Sequence, residues 1–119
     1  MEYKSDLKIR TLEFAKRVVR LCRKLPHEIV NYKLIDQLVR SSASVGANYL
    51  EANDCLGKKD FTHRLRISRK ESKETIFWLE ILKDGNESST VEINYLISEC
   101  TEIRNILSAI ITKSMSNGN

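Results

Sequence analysis

Apolar side chains recur at steps of three and four residues through four long stretches of this chain. That spacing places them on one side of an α-helix. The stretches cover about residues 5–25, 31–53, 60–84 and 89–114. With one proline and four glycines in 119 residues, few positions can interrupt a helix. The pattern therefore predicts an all-α chain with four long helices.

Residues at the ends of these stretches indicate where the helices begin and end. The single proline stops the first helix, and Asn31 is a candidate N-cap for the second. Asp60 is a candidate N-cap for the third helix, and Gly85 suits the position just after its end. Ser89 and Glu92 have the spacing of a capping box at the start of the fourth helix.

The segments between the helices are short, at about residues 26–30, 54–59 and 85–88. Short connections make sequential helices antiparallel neighbours. The four helices are also similar in length, at about 30–39 Å for 1.5 Å per residue. These features predict an antiparallel up-down-up-down four-helix bundle that forms a single domain over residues 1–119.

Gly46 lies in the middle of the second predicted helix, where glycine costs about 1 kcal/mol relative to alanine. Its neighbours Ser42 and Ala43 are also small. A favourable contact that a side chain would prevent should therefore offset this cost. We expect a neighbouring helix to approach closely there.

Some apolar residues lie off the main stripes that a four-helix core requires. We interpret them as a subunit interface, since aromatic residues are enriched in interfaces and a lone tryptophan is costly to leave in water. The alternative is a wide core stripe that both neighbouring helices cover. The candidate interface residues are Leu12, Val19, Ile67, Phe77, Trp78 and Ile81.

The net charge of +4 is unevenly distributed along the chain. Residues 1–73 hold 17 Lys/Arg and nine Asp/Glu, whereas residues 74–119 hold three and seven. A cationic surface on the first and third helices would attract nucleic acid or an acidic protein, although a solvated face of a basic protein is the alternative. The candidate nucleic-acid-binding residues are Lys16, Arg17, Arg20, Arg23, Lys24, Arg66, Arg69 and Lys73.

Polar residues follow one side of the second predicted helix beside its apolar stripe. They are Gln37, Arg40, Ser44, Asn48 and Glu51. They could hold a ligand or a partner. We favour an internal hydrogen-bond network, in which they bond to one another or to groups on nearby helices.

Motifs for catalysis, metal binding and cofactor binding are missing from the sequence. The chain has no Gly-rich phosphate loop, HExxH or GxSxG, and His27 and His63 lack a Cys, Ser/Asp or second His at a useful spacing. Its three cysteines are widely spaced and form no CxxC pair, so we expect reduced thiols. We therefore expect no enzyme activity, no catalytic residues, no metal site and no cofactor.

The sequence also predicts a cytoplasmic protein without a membrane partner. No stretch approaches the roughly 20 apolar residues that span a bilayer. The N-terminus lacks the apolar run of a signal peptide.

The middle of the chain resembles the signature of the bacterial four-helix bundle family, also called the 23S rRNA intervening-sequence protein family and often labelled ribosomal-protein-like. The resemblance covers about residues 7–112, and its blocks match in order and spacing. The matching blocks are residues 36–52 (DQLVRSSASVGANYLEA), 58–61 (KKDF), 68–75 (SRKESKET) and 78–79 (WL), with Leu25-Pro26 and Tyr32 ahead of them.

This resemblance implies a four-helix bundle that assembles into a homopentamer. It offers no catalytic residues, and it implies a structural role for Arg40, Asn48, Glu51 and Glu74. A related group resembles the accessory protein of diversity-generating retroelements, which binds a reverse transcriptase and nucleic acid.

We therefore expect an oligomeric, non-enzymatic bundle that binds the RNA or DNA backbone through basic helix faces. The alternative is a protein-interaction scaffold with an acidic partner, for example an accessory factor to a reverse transcriptase.

Overall fold

The protein, described here by a computed structural model of residues 3–116 with side chains from Leu7 onward, is a four-helix bundle. Its helices are α1 (Tyr3–Lys24), α2 (Ile29–Asp54), α3 (Lys58–Gly85) and α4 (Thr90–Ser116), with a short 3₁₀ turn at Glu87–Ser89. The two outermost residues at the N-terminus and three at the C-terminus of the predicted domain lie outside the described part. The predicted all-α bundle is confirmed.

In cross-section the helices occupy the corners of a square. The bundle is about 50 Å long and 20 Å across. α2 packs most extensively against α3, α3 against α4, and α1 contacts both α2 and α4. α1 and α3 therefore lie at diagonal corners. Because the chain runs antiparallel, the C-terminal end of α1 lies beside the start of α4.

The core consists of one apolar stripe from each helix. Phe14, Leu38, Tyr49 and Leu79 are among its fully or almost fully buried members. Small polar residues lie between α2 and α3: the Ser68 hydroxyl donates to the Val45 carbonyl at 2.6 Å. The two buried serines of α3, Ser68 and Ser72, are thus small enough for α2 to come close, and their hydroxyls still form hydrogen bonds.

Gly46 confirms the expected close approach of a neighbouring helix, which is α1. A Cβ atom at Gly46 would lie 2.9 Å from Oγ1 and 3.1 Å from Cβ of Thr11. Thr11 is almost fully buried, and its hydroxyl donates to the Leu7 carbonyl at 2.8 Å. The contact between α1 and α2 at this level therefore requires glycine.

The N-cap of α2 is Glu28, so the prediction of Asn31 was wrong. The Glu28 carboxylate accepts from the backbone N–H groups of Val30 at 3.1 Å and Asn31 at 3.0 Å. Asn31 lies in the first turn of the helix and is buried. Its side chain is committed to another part of the structure.

Asn31 and Asn86 form a buried amide pair that joins two loops at the same end of the bundle. Each side-chain N–H donates to the other's carbonyl oxygen at 3.2 Å. Asn31 also donates to the Pro26 carbonyl, and Asn86 donates to that of Leu82. The pair fixes the α1–α2 loop against the α3–α4 loop.

The ends of α3 and the start of α4 also differ from the predicted signals. Gly57 precedes α3 as its N-cap, so Asp60 lies inside the first turn. Gly85 is the last residue of α3 and its φ is not positive, so Asn86 takes the C-cap position. The Glu92 carboxylate, predicted to cap α4, accepts hydrogen bonds from Arg17 on α1 instead.

Candidate nucleic-acid interface

The basic residues of α1 are partly used inside the bundle, along the contact between α1 and α4. Arg17 Nε donates to Glu92 Oε2 at 2.9 Å, and the Arg17 guanidinium carbon lies 3.9 Å from the centre of the Tyr95 ring. The hydrogen bond that Arg17 donates to Glu92 favours the charged guanidinium and raises the pKa of Arg17 above its ordinary value. Arg17 therefore has a carboxylate and an aromatic face as partners already.

Arg10 forms a second ion pair on the same line and was not among the predicted residues. Its Nε donates to Glu99 Oε2 at 2.7 Å and its Nη2 to Glu99 Oε1 at 3.0 Å, with Glu102 as a further acceptor. The hydrogen bond that Arg10 donates to Glu99 raises the pKa of Arg10 most strongly. The seven-residue steps from Arg10 to Arg17 and from Glu92 to Glu99 are the sequence signal for this antiparallel pairing.

These ion pairs explain part of the uneven charge distribution. Three carboxylates of the acidic second half of the chain, those of Glu92, Glu99 and Glu102, accept from arginines of the basic first half. These ion pairs hold α1 against α4. A polyanion could bind the two arginines only by breaking those pairs.

The remaining predicted residues of α1 are exposed. Lys16 lies 3.4 Å from Glu13, whereas Arg20, Arg23 and Lys24 form no ion pair or side-chain hydrogen bond with the described residues. Arg23 and Lys24 occupy the last turn of α1, where the helix dipole favours positive charge. Their position is thus also explained by helix stability.

The predicted residues of α3 lie on a different face, between α3 and α4. Arg69 Nη1 donates to Ser108 Oγ at 3.4 Å and Arg66 Nη2 to Met115 Sδ at 2.9 Å, so both arginines lean towards α4. Arg104 lies one turn before Ser108 on the same side of α4. We call Arg66, Arg69, Lys73 and Arg104 the basic face.

None of the four cations of the basic face is paired with a carboxylate among residues 7–116, whose side chains the structure describes. Arg66 and Lys73 are exposed, and Arg69 and Arg104 are half-buried. Arg104 was missed because it is the only cation between Lys83 and Lys113 and belongs to no linear cluster. The structure does not join the basic face to the α1 cluster, since α1 and α3 lie at diagonal corners.

The polar residues of α2 contact α3. Arg40 Nη1 donates to Glu71 Oε1 at 3.2 Å and Nη2 to Glu74 Oε1 at 2.6 Å. Glu71 is buried, so Arg40 supplies the charge that its carboxylate needs. Desolvation lowers the pKa of Arg40, but the two carboxylates outweigh it and raise that pKa overall.

Asn48 and Glu51 are in different surroundings. Asn48 donates to the Ser44 carbonyl at 3.0 Å and accepts from Arg64 Nη1 at 3.0 Å, which adds a second α2–α3 link. Glu51 is exposed, and its side chain joins neither link. The residues brought together are therefore Arg40 with Glu71 and Glu74, and Asn48 with Arg64.

The candidate interface residues form two groups, one between α1 and α2 and one along α3. On the face between α1 and α2, Leu12 is 54% exposed and Val19 half-buried. Leu12 borders a groove of about 270 Å³ whose other walls are Lys8, Thr11, Ala15, Ala43, Gly46, Ala47 and Leu50. We call this the α1/α2 groove.

The other face, on α3, carries an exposed apolar patch. Phe77 is 58% exposed and Ile81 38% exposed, while Ile67 and Trp78 are half-buried. The Phe77 and Trp78 rings meet edge to face with their centres 5.2 Å apart. The Trp78 N–H is buried and lacks a hydrogen-bond acceptor among the described residues. We call Phe77, Trp78 and Ile81 the aromatic patch.

Among the side chains of residues 7–116, no three His, Cys, Asp or Glu lie close enough together to hold a metal ion. In the same part of the chain, no helix has both the length and the apolar character needed to cross a membrane.

Comparison with known proteins gives a family and a related structure. The family profile described as "23S rRNA-intervening sequence protein" matches residues 4–109. A crystal structure of a protein of unknown function from the S23 ribosomal protein family of Bacteroides thetaiotaomicron is similar, with 34% sequence identity and a TM-score of 0.85. The similarity covers 92% of this chain and 98% of that one. No curated protein matches the sequence. The chain therefore belongs to the 23S rRNA-intervening sequence protein family.

Proposed function

We propose that this protein is a non-enzymatic, oligomeric bundle of the cytoplasm that binds the backbone of nucleic acid, RNA or DNA, through its basic face. The observation that carries the proposal is that Arg66, Arg69, Lys73 and Arg104, on one side of the bundle, have no carboxylate partner among the described side chains. Cations without carboxylate partners can neutralise phosphates and release counterions without breaking an ion pair. The name of the family points to rRNA as the first nucleic acid to test.

The basic face has the dimensions of a backbone contact. Arg66, Arg69 and Lys73 occupy positions i, i+3 and i+7 of α3, which spans about 10 Å along the helix axis. Arg104 adds a fourth charge from α4. Arginine suits this role because its guanidinium can donate two hydrogen bonds to one phosphate.

The double variant Arg66→Gln/Arg69→Gln should weaken RNA binding about tenfold at moderate salt. Each lost phosphate contact lowers the slope of log affinity against log salt by about 0.7–0.9, so the slope should fall by roughly 1.5. Fluorescence anisotropy of a labelled RNA, titrated at several salt concentrations, measures both quantities.

Lys16→Gln/Arg17→Gln is the matched control, because it removes the same net charge from α1. It should leave the slope nearly unchanged, since both cations are already paired with carboxylates. The proposal fails if the protein binds no nucleic acid even at low salt, or if both double variants reduce the slope equally.

The α1/α2 groove and the aromatic patch support the oligomeric part of the proposal. One is a groove lined mainly by small residues, and the other exposes Phe77. Two different patches on one subunit suit a heterologous contact, and such contacts form a closed ring when the rotation between subunits closes. The homopentamer that the family resemblance implies would be a ring of this kind.

Phe77→Asp/Ile81→Asp should therefore convert the oligomer to a monomer without unfolding it, because both side chains are exposed in the single chain. Light scattering gives the mass, and circular dichroism checks that the helices remain. Val91→Asp is the control, since Val91 is 86% exposed and lies outside both patches. A wild-type protein that is monomeric at every concentration would contradict the oligomeric proposal.

The second candidate function is a scaffold for an acidic protein, such as the reverse transcriptase served by the retroelement accessory protein that the family resembles. The aromatic patch favours it, because exposed aromatic residues are typical of protein contacts. Purification from cells under low salt, followed by nuclease treatment, separates the two candidates. A stoichiometric protein partner that survives the nuclease would favour the scaffold.

A further inference from the structure

We propose that the basic face recognises the A-form RNA duplex in preference to single-stranded RNA and to the DNA duplex. This inference rests on the proposed function and adds the form of nucleic acid that the same face selects. It follows from the residues of α4 that lie between and beside the four cations, and from where the exposed aromatic rings are.

A line of short polar side chains follows the cations along α4. Thr101, Asn105, Ser108 and Thr112 are spaced by four, three and four residues, which places them on one side of the helix. Ser108 accepts the hydrogen bond from Arg69, so this side faces the basic residues of α3. Asn105 and Thr112 are exposed, and Thr101 and Ser108 are half-buried.

The face thus has two parallel ridges of different chemistry. The α3 ridge carries Arg66, Arg69 and Lys73, and the α4 ridge carries hydroxyl and amide groups with Arg104. Axes of packed helices are about 8–10 Å apart. When the α3 ridge lies on a line of phosphates, the α4 ridge therefore lies beside them, over the adjacent groove of a duplex.

That arrangement suits the minor groove of an A-form helix. This groove is wide and shallow, and it displays 2′-hydroxyl groups beside the phosphates. The hydroxyl of Ser108 and the amide of Asn105 can both donate to and accept from a 2′-hydroxyl. A DNA duplex lacks the 2′-hydroxyl, so the α4 ridge would lose these partners on DNA.

No aromatic residue occurs within residues 66–73 of α3 or 101–112 of α4, and Phe77 follows Lys73 by one helical turn, at the end of the basic face. Tyr95 is stacked under Arg17 beside α1, Phe77 belongs to the aromatic patch, and Tyr32 is in the first turn of α2 near His27. Proteins that hold single strands combine a cationic groove with aromatic rings on which the bases stack. The basic face supplies the charge with hydroxyl groups beside it, which matches the outside of a duplex.

The test compares four probes of equal length at one salt concentration: an RNA duplex, a DNA duplex of the same sequence, and each RNA strand alone. We expect the RNA duplex to bind about tenfold more tightly than the other three. Asn105→Ala/Ser108→Ala should reduce the ratio of RNA-duplex to DNA-duplex affinity severalfold and leave the salt slope unchanged, because it removes hydrogen bonds and no charge.

Ala109→Ser is the matched control, since Ala109 is exposed on α4 outside the polar line, and it should leave all affinities unchanged. Equal binding of all four probes, or tighter binding of a single strand, would overturn the duplex inference while leaving backbone binding intact. An absence of binding to every probe at low salt would overturn the proposed function as well.

Discussion

Gly46→Val should lower the free energy of unfolding by about 3 kcal/mol, because a side chain at this position has no room between α1 and α2. Even the first atom of a side chain would lie 2.9 Å from Thr11 Oγ1. The branched carbons of valine would extend further into α1 and force the helices apart. Chemical denaturation followed by circular dichroism measures the loss.

Thr11 cannot move aside without a cost of its own. It is almost fully buried, and its hydroxyl is held by the Leu7 carbonyl. Gly46→Ala should therefore also destabilise the protein, by a smaller amount, because alanine recovers up to about 1 kcal/mol of helix propensity. Adding Thr11→Ala to Gly46→Ala should restore part of the loss, since it removes the closer of the two contacting atoms.

Gly85→Ala is the matched control, because a Cβ atom there meets no other atom within 4 Å. Gly85 ends α3 with a φ that any residue can adopt, so alanine should leave stability unchanged or raise it slightly. If Gly46→Val and Gly85→Ala have similar effects, close packing of α1 on α2 is not the reason for glycine at position 46.

The helices of this chain could be predicted from its sequence because their signal is local. Apolar spacing, one proline and few glycines define four segments without knowledge of how they meet. The caps were harder to predict, because local preference competes with the rest of the structure. Asn31 has the right chemistry for an N-cap, but its amide makes a buried pair with Asn86, and Glu28 caps the helix instead.

The candidate nucleic-acid interface could be predicted only in part, because the pairing of cations with carboxylates depends on which helices are neighbours. A linear count of charges grouped Arg17 with Arg69. The square arrangement places Arg17 against Glu92 on α4 and leaves Arg69 without a carboxylate partner among the described residues. Arg104 joins the basic face only through the packing of α4 on α3. The sequence shows how many cations exist, whereas the fold decides which of them are available.

Stability should fall steeply above pH 9, at about 1.4 kcal/mol per pH unit for each of the two buried cysteines. Burial raises the pKa of the Cys100 thiol to about 12 and that of Cys22 to about 11. Cys100 is fully buried, and its thiol donates to the Ser72 carbonyl at 3.4 Å. A thiolate at either position would lose its hydration and, at Cys100, this hydrogen bond.

The direction follows from proton binding. Well below the ordinary thiol pKa of about 8.5, both thiols are protonated in the folded and unfolded chains, so they cause no pH dependence. As pH rises through that value the unfolded chain releases its thiol protons, whereas the folded chain keeps them until pH approaches 11 and 12. The unfolded state is thus favoured as pH rises. From pH 8.5 to 10 the two thiols together should cost about 3 kcal/mol, because each unfolded thiol is only half ionised at the start of that range.

Urea unfolding at pH 8, 9 and 10 tests this in the wild type, in Cys22→Ala/Cys100→Ala and in Cys55→Ala. The double variant should be less stable at pH 8, because it loses buried sulfur atoms, yet it should lose much less stability as pH rises. Cys55 is half-buried at the end of α2, and its removal should leave the wild-type pH dependence in place. Ionisation of lysine and tyrosine contributes to all three proteins and cancels in the comparison. Equal slopes in the wild type and the double variant would show that alkaline unfolding arises elsewhere, and that the core admits enough water to ionise Cys100 while the bundle stays folded.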